Sequence, residues 1–172
     1  QIPATEYNPY ETVKTNILGT QNIIEIAIRN KVKKAMLVST DKAVSPINLY
    51  GSTKLTAEKL FISANIFKGK SKTLFSVARY GNVMGSRGSV IPIFLKQEKI
   101  QDFFTVTDDR MTRFTITLHD AVRFVDQCIS DMKGSEIFIP KLKSYKITEL
   151  AKAIIPQKKI KIIGIRNGEK LH

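Results

Sequence analysis

Several residue types are scarce in this chain of 172 residues, and their scarcity excludes whole classes of protein. Cys128 is the only cysteine, which excludes an internal disulfide framework and fits a reducing compartment, so we expect a cytoplasmic protein. No apolar run approaches the ~18 residues that span a bilayer, and we expect no membrane partner. Only two histidines occur, His119 and His172, and no group of His, Cys, Asp or Glu has metal-site spacing.

The chain is strongly basic, but its basic residues are not of the kind or arrangement that nucleic-acid-binding proteins use. Lys and Arg number 28 against 15 Asp and Glu, which gives a formal charge of +13. Only seven of the cations are arginines, the side chain that favours bidentate contacts to phosphates and bases. No aromatic platform or recognition helix accompanies the lysines. We therefore expect a solvated basic surface and no nucleic-acid partner.

The composition is that of a folded protein, with 42% hydrophobic and 25% charged residues. The length suffices for one compact domain with a core. The chain begins with Gln1 instead of Met and stops at His172. We interpret it as an internal piece of a longer protein.

Apolar periodicity predicts alternating helices and strands. Three-four spacing or an apolar stripe predicts helices over residues 8–30, 50–64, 90–99, 118–132 and 147–155. Short apolar runs predict buried strands over residues 33–40, 73–80, 136–140 and 159–163. This alternation indicates an α/β fold with a mostly parallel sheet and helices on its faces.

Polar residues cluster where two predicted strands end, at STDK (residues 39–42) and YGN (residues 80–82). Ligands of open parallel sheets bind at such carboxyl ends. Tyr50 and Lys54 follow as a YxxxK motif, with both side chains on one face of a helix. A nearby ammonium lowers the pKa of a phenol, which would make Tyr50 a usable base. A hydroxyl of Ser39 or Thr40 would hold a substrate oxygen beside it.

This pattern resembles the extended short-chain dehydrogenase/reductases. Within them it is most similar to the 5-inverting 4,6-dehydratases that act on UDP-N-acetylglucosamine in pseudaminic acid biosynthesis. Four motifs carry the resemblance over nearly the whole chain: STDKAVSPINLYGSTKLTAEKLF, RYGNVMGSRGSVIP, MTRF and GIRNGEKLH. Membrane-anchored relatives generally have Met at the position of Tyr50. The resemblance implies the C-terminal part of a Rossmann-type doubly wound parallel sheet with a small substrate-binding subdomain.

The resemblance also implies catalytic roles. Tyr50, polarised by Lys54, would take the proton of the sugar 4-hydroxyl while C4 is oxidised. Lys42 would remove the C5 hydrogen, and Asp41 would protonate the departing 6-hydroxyl, with Thr40 as an oxygen ligand. A lysine is a base only where its surroundings favour the neutral amine. From position alone, Asp41 and Lys42 could equally be a helix cap and a solvated cation.

Further ligand contacts follow from the resemblance. The implied cofactor is NADP, held by Val38, Ser39, Tyr50, Lys54, Val83, Met84, Gly85, Ser86 and Arg87. The implied substrate contacts are Asn82, Val90, Arg166 and Glu169. Residues 82–88 could also be a plain turn, because Gly85 and Gly88 are turn residues. Asn167 stands where the family usually has Pro, and Arg113 of the MTRF motif is read as structural.

The Gly-rich turn of dinucleotide-binding folds does not occur in these residues. We expect it upstream, so residues 1–172 alone should be inactive. We assign residues 1–88 to the second half of the cofactor-binding domain and residues 89–172 mainly to substrate binding, interleaved with the sheet. The family implies a homo-oligomer.

Three other functions stay open: a UDP-sugar 4-epimerase, which needs no acid-base pair at C5 and C6, a basic nucleic-acid-binding protein, and a relative that has lost catalysis.

Overall fold

A computed structural model describes residues 2–86 and 88–172 of the chain. The helices are α1 (Ile2–Tyr7), α2 (Pro9–Val13), α3 (Gly19–Arg29), α4 (Leu49–Phe67), α5 (Val90–Ile100), α6 (Leu118–Asp131) and α7 (Ile147–Ile154). The strands are β1 (Lys34–Thr40), β2 (Leu74–Tyr80), β3 (Asn82–Val83), β4 (Phe103–Val106), β5 (Thr112–Ile116), β6 (Ile137–Phe138), β7 (Ser144–Lys146) and β8 (Lys159–Ile162). A π-helical stretch, Lys14–Leu18, joins α2 to α3, and a 3-10 turn, Asp41–Ala43, follows β1.

The described residues form two compact units. Unit 1 comprises the chain up to Tyr80 together with His119–Lys141, and unit 2 comprises Gly81–Leu118 together with Leu142–His172. The chain therefore leaves unit 1 after β2 and returns to it through α6 and β6.

Unit 1 is built on a parallel sheet with the strand order β1-β2-β6. The crossover from β1 to β2 runs through α4, the usual way to join parallel neighbours. Helices α3 and α4 cover the sheet with a core that contains Ile24, Phe61, Phe75 and Val77. The rings of Phe61 and Phe75 pack edge to face with centroids 5.2 Å apart. This packing fixes α4 against the two strands.

Unit 2 holds two small sheets. Strand β5 pairs in parallel with β3 and antiparallel with β7, while β4 pairs in parallel with β8. Helices α5 and α7 pack on β4, where Phe94, Phe104 and Met111 form the centre of a second core. Gly81, which precedes β3, lies so close to β5 that a Cβ atom on it would be 2.7 Å from the Phe114 carbonyl oxygen.

The predicted fold class, α/β with mostly parallel strands, is confirmed, and each predicted helix and strand has a counterpart. The strand predicted over 159–163 does not join the main sheet; it pairs with β4 as β8. Strands β3, β4, β5 and β7 were not predicted. Among the described residues, β1 is the first strand in the order β1-β2-β6, and its Val38 is 41% exposed. The functional division into residues 1–88 and 89–172 stays a prediction.

No helix in the described ranges is both long and apolar enough to cross a membrane. Cys128 is buried in α6.

Candidate active site

The carboxyl ends of β1 and β2 bring two polar segments of unit 1 to one edge of the sheet. The parallel register pairs Ser39 with Arg79 and Thr40 with Tyr80. Both strands therefore end level with each other, and the chain beyond Thr40 turns away from the sheet. This is the edge at which parallel sheets bind ligands.

The 3-10 turn places the Asp41 and Lys42 side chains together. Thr40 caps the turn, its Oγ1 accepting a 3.4 Å hydrogen bond from the Lys42 amide. The same hydroxyl donates to Asp41 Oδ1 at 3.1 Å. The Lys42 ammonium also lies 3.1 Å from Asp41 Oδ1, and both side chains are partly buried. The structure thus joins three of the predicted catalytic residues through one carboxylate oxygen.

Helix α4 carries Tyr50 and Lys54 and begins directly against this turn. Asn48 caps the helix, with its Oδ1 accepting from the Gly51 amide at 2.7 Å. The Leu49 amide donates to Glu6 Oε1 at 2.7 Å, a contact that sequence reasoning missed. These two bonds satisfy helix amides that otherwise lack partners and fix the direction of the first turn.

A second missed contact holds α4 from the side of the π-helical stretch. Asn16 in this stretch donates to Thr53 Oγ1 at 3.0 Å, and Thr53 is buried. No spacing signal links residues so far apart in the chain. The Asn16–Thr53 bond therefore fixes α4 at the residue that directly precedes Lys54.

The electrostatics at Tyr50 differ from the expectation that Lys54 lowers its pKa. Burial raises the pKa of Tyr50, the charge of Asp41 raises it further, and a side-chain hydrogen bond with Thr40 partly offsets both. The Lys54 ammonium instead donates to the Val38 carbonyl oxygen at 2.8 Å. In this arrangement Tyr50 is a protonated phenol at neutral pH, and Asp41 is its dominant charged neighbour.

Two effects shift the pKa of Lys54 in opposite directions. Burial lowers the pKa of Lys54, and the charge of Glu58, one helical turn further on, raises it. Glu58 is 1% exposed and accepts from Arg79 Nε at 2.9 Å, with a second bond from Arg79 Nη2. A bidentate pair of this kind fixes both side chains in orientation. Sequence reasoning named neither partner, although Glu58 lies four residues after Lys54.

The residues predicted to hold the cofactor in unit 1 offer a suitable donor set. Ser39 Oγ is buried and lacks a hydrogen-bond partner among the described residues. The carbonyl oxygen of the preceding residue, Val38, accepts a hydrogen bond from the Lys54 ammonium of α4. A free hydroxyl, a carbonyl and an ammonium match the hydroxyl and carboxamide groups of a nicotinamide nucleotide.

In unit 2 the predicted residues 82–86 and Val90 lie along one connection. Asn82 Nδ2 donates to the Phe114 carbonyl at 3.1 Å, and the Met84 amide donates to the Ile116 carbonyl at 2.9 Å. These bonds anchor β3 to β5 and leave Met84, Gly85 and Ser86 exposed before α5 begins at Val90. Gly85 has a φ of 72°, a conformation that suits glycine. Arg87 lies outside the described residues.

Arg166 and Glu169 occur together in the last loop of unit 2. Their backbones bond to each other, with the Glu169 amide donating to the Arg166 carbonyl at 3.0 Å. Arg113, read as structural, organises this loop: its guanidinium donates to the Lys170 carbonyl at 2.8 Å and lies 3.6 Å from Glu169 Oε1. The Glu169 side chain is therefore engaged with Arg113, while Arg166 is exposed.

Across the described residues, no group of His, Cys, Asp and Glu side chains is arranged to hold a metal ion.

The family of the chain follows from a match over its whole length. A family model described as polysaccharide biosynthesis protein matches residues 1–172. The chain belongs to this family.

Proteins similar to this chain carry two different activities in their names. The chain is 55% identical to UDP-N-acetylglucosamine 4,6-dehydratase (inverting) of Campylobacter jejuni, over 99% of this chain and 52% of that protein. It is 42% identical to UDP-glucose 4-epimerase of Rickettsia canadensis, over 99% of this chain and 51% of that protein.

Solved structures agree with the fold of this polysaccharide biosynthesis family member. The X-ray structure of Pen from Bacillus thuringiensis superposes with a TM-score of 0.94 at 46% identity, covering 99% of this chain and 55% of that one. The chain spans about half the length of the curated relatives it matches. The predicted resemblance is thereby confirmed at the level of the family.

Proposed function

We propose that the protein containing this chain dehydrates UDP-N-acetylglucosamine to a UDP-4-keto-6-deoxy-hexosamine, with inversion at C5 and with NADP as cofactor. The observation that carries the proposal is the Asp41–Lys42 ion pair, held at 3.1 Å beside Tyr50. The higher identity to an inverting 4,6-dehydratase than to the epimerase supports the same choice. The assembly is a homo-oligomer.

The first step needs a group that accepts the proton of the 4-hydroxyl. A bound nicotinamide dinucleotide supplies the hydride acceptor for C4 and the hydride donor for C6. Tyr50 takes the proton as the phenolate, after its own proton has left to solvent, and Thr40 holds the sugar oxygen next to it. Because burial and Asp41 both raise the pKa of Tyr50, this phenol needs positive charge nearby before it acts as a base. Lys54 is the cation on the same helical face that provides it.

The second step needs a base at C5 and an acid at the 6-hydroxyl, and one internal proton transfer in the pair creates both. In the ion pair, Lys42 carries the proton and Asp41 is a carboxylate. Moving that proton to Asp41 leaves a neutral amine and a carboxylic acid, the two forms that this step needs. Lys42 then removes the C5 proton, whose acidity comes from the C4 ketone. Asp41 protonates the leaving hydroxyl as water, and the ion pair is restored.

In the final step hydride would return to C6, solvent water would supply the proton to C5, and Tyr50 would release to solvent the proton that it took from the 4-hydroxyl. Protonation on the face opposite Lys42 inverts this centre. Asn82 and Val90 contact the sugar, and Arg166 and Glu169 contact the nucleotide end, where a guanidinium suits a diphosphate. Val83, Met84, Gly85 and Ser86 would line the nicotinamide.

The reaction is tested with the full-length protein, UDP-N-acetylglucosamine and catalytic NADP in deuterated water, followed by NMR. We expect a 4-keto-6-deoxy product with deuterium at C5, and its ring couplings report the inversion. Formation of a C4 epimer alone would replace the proposal with an epimerase. An unchanged sugar would contradict the proposed substrate.

The role of the ion pair is tested by Lys42→Ala, with Lys33→Ala at an exposed position before β1 as the matched control. We expect Lys42→Ala to lose about 10²–10⁴-fold in the rate of water loss, the usual share of a general base. The Lys33→Ala protein should keep the wild-type rate. If Lys42→Ala still dehydrated the sugar at the wild-type rate, another group would be the base.

A further inference from the structure

Gly51, the third residue of α4, lies in an unusually close contact with the turn that precedes the helix. A Cβ atom on this residue would lie 2.2 Å from the Lys42 carbonyl oxygen and 2.9 Å from Pro46 Cβ. It would also lie 3.2 Å from Asn48 Oδ1, the atom that caps the helix. The nearest of these atoms belongs to the backbone, so no side-chain rotation relieves the overlap.

The dihedral angles of Gly51 are not the reason for a glycine here. Gly51 does not belong to the glycines with positive φ, and it lies inside a regular helix. In a helix, alanine is favoured over glycine by about 1 kcal/mol. Glycine therefore stabilises the helix less than alanine would, but it is the residue that fits the close contact with the Lys42 carbonyl oxygen.

The contact joins the two halves of the candidate site. On one side, Lys42 belongs to the 3-10 turn that holds the Asp41–Lys42 pair. On the other side, Gly51 follows Tyr50 directly, and the charge of Asp41 acts on the Tyr50 phenol. The distance between the turn and the helix therefore determines how far the ion pair lies from Tyr50.

A side chain at residue 51 would displace the turn and leave the helix in place. Helix α4 has 19 residues and is fixed in the core by Ala57, Phe61 and Ala64, all of them buried. The turn has only three residues, and the bond from the Val44 amide to the Asp41 carbonyl at 3.1 Å closes it. The shorter element yields.

We propose that Gly51 is a positioning residue that holds the Asp41–Lys42 turn against the first turn of α4, so that the ion pair and Tyr50 act on the same sugar ring. This inference rests on the proposed function. It makes water loss, which uses Asp41 and Lys42 of the turn, depend on Gly51 more strongly than oxidation at C4, which uses Tyr50 and Lys54 of α4 together with Thr40. A displacement of about 1 Å is enough to cost about 10²-fold in rate.

The test is Gly51→Ala in the full-length protein, with Gly19→Ala as the matched control. The control also puts a methyl group into a helix of unit 1, but its Cβ would be 3.6 Å from the nearest atom, an ordinary contact. Stopped-flow absorbance of the reduced dinucleotide follows oxidation at C4, and NMR follows water loss. Hydrogen exchange of the Lys42 and Val44 amides reports the turn independently of activity.

We expect Gly51→Ala to lose about 100-fold in kcat for water loss with KM within about twofold, while the reduced dinucleotide accumulates. The two turn amides should exchange faster than in the wild type, and Gly19→Ala should match the wild type throughout. A wild-type kcat, or oxidation and water loss that fall in equal proportion, would overturn the inference.

If Gly51→Ala does not fold, the double variant Pro46→Gly, Gly51→Ala takes its place. Glycine at residue 46 removes the second overlap and frees the loop, while the overlap with the Lys42 carbonyl stays. The same kinetic signature is expected and the same results would refute it. Should the wild type not dehydrate the sugar, the proposed function fails, and amide exchange alone decides whether Gly51 holds the turn.

Discussion

Replacing Glu58 by glutamine should destabilise the protein strongly without changing its shape. Glu58 is 1% exposed and is held by two bonds from Arg79, whose side chain is 16% exposed. Removing one partner of a buried ion pair typically costs 3–5 kcal/mol, because the other charge is left uncompensated. Glutamine keeps one acceptor for the guanidinium, and Arg79 retains some contact with water. We therefore expect a loss of about 2–3 kcal/mol.

The loss can be measured by urea unfolding of the full-length protein, monitored by circular dichroism. With a slope of about 2 kcal/mol/M, the midpoint should fall by about 1–1.5 M. Glu25→Gln, at an exposed position on α3, is the matched control and should stay within about 0.5 kcal/mol of the wild type. A similarly small change in Glu58→Gln would refute the reasoning.

A double variant separates the cost of an unpaired charge from the value of the pair itself. Glu58→Leu combined with Arg79→Met replaces both charges by apolar side chains. Such replacements are often neutral or stabilising, so the double variant should be more stable than Glu58→Gln. A double variant less stable than Glu58→Gln would mean that the pair itself stabilises unit 1.

Two further predictions concern single contacts. Burial raises the pKa of Glu136, but the Ser76 hydroxyl at 2.6 Å and three backbone amides outweigh it and hold the pKa below its ordinary value of 4.5. The stabilisation is therefore present above pH 4.5 and is lost as the pH falls through the folded-state pKa. In urea unfolding, Ser76→Ala should lower the free energy of unfolding at pH 7 and lower it less at pH 3. An equal loss at the two pH values would contradict this prediction. Gly81→Ala should destabilise unit 2 by about 1–3 kcal/mol, because its Cβ would overlap the Phe114 backbone. Amide hydrogen exchange of β3 and β5 should then be faster than in the wild type, while the control Gly19→Ala should leave it unchanged.

The parts of the fold that were predictable are those with strong local signals. The apolar run of β1 and the stripe of α4 each extend over several residues, and both were found within a few residues of their observed ends. Strands β3 and β7 have only two and three residues. Their conformation comes from pairing with β5, a tertiary effect that a short sequence window does not contain.

The candidate site was predictable in its residue types but not in its contacts. YxxxK spacing indicated Tyr50 and Lys54, and the STDK segment indicated the acid-base pair. The sequence does not contain the distances that decide which charge governs a phenol, and Asp41 proved to act on Tyr50 where Lys54 was expected. Likewise, nothing in the local pattern shows that Gly51 touches a carbonyl nine residues earlier.

Two groups of lysines that are far apart in the sequence also show that a local pattern does not reveal which residues lie together in the fold. Residues 31–34 and 68–72 belong to separate loops, yet their lysines line one depression of about 790 Å³ at the amino ends of β1 and β2. The depression lies at the opposite end of the sheet from the candidate active site. Its charge is a product of topology, since both loops precede adjacent parallel strands.

The interruption of unit 1 after Tyr80 has a consequence for biosynthesis. When a ribosome has made β1, α4 and β2, the chain that follows belongs to unit 2, and β6 emerges only with Ile137. Closing so long a loop costs little at equilibrium, but it delays the pairing of β6 with β2. Until then the edge of β2 that will pair with β6 stays open, and an open edge attracts other extended chains. A chaperone that binds that edge would therefore raise the yield of folded protein.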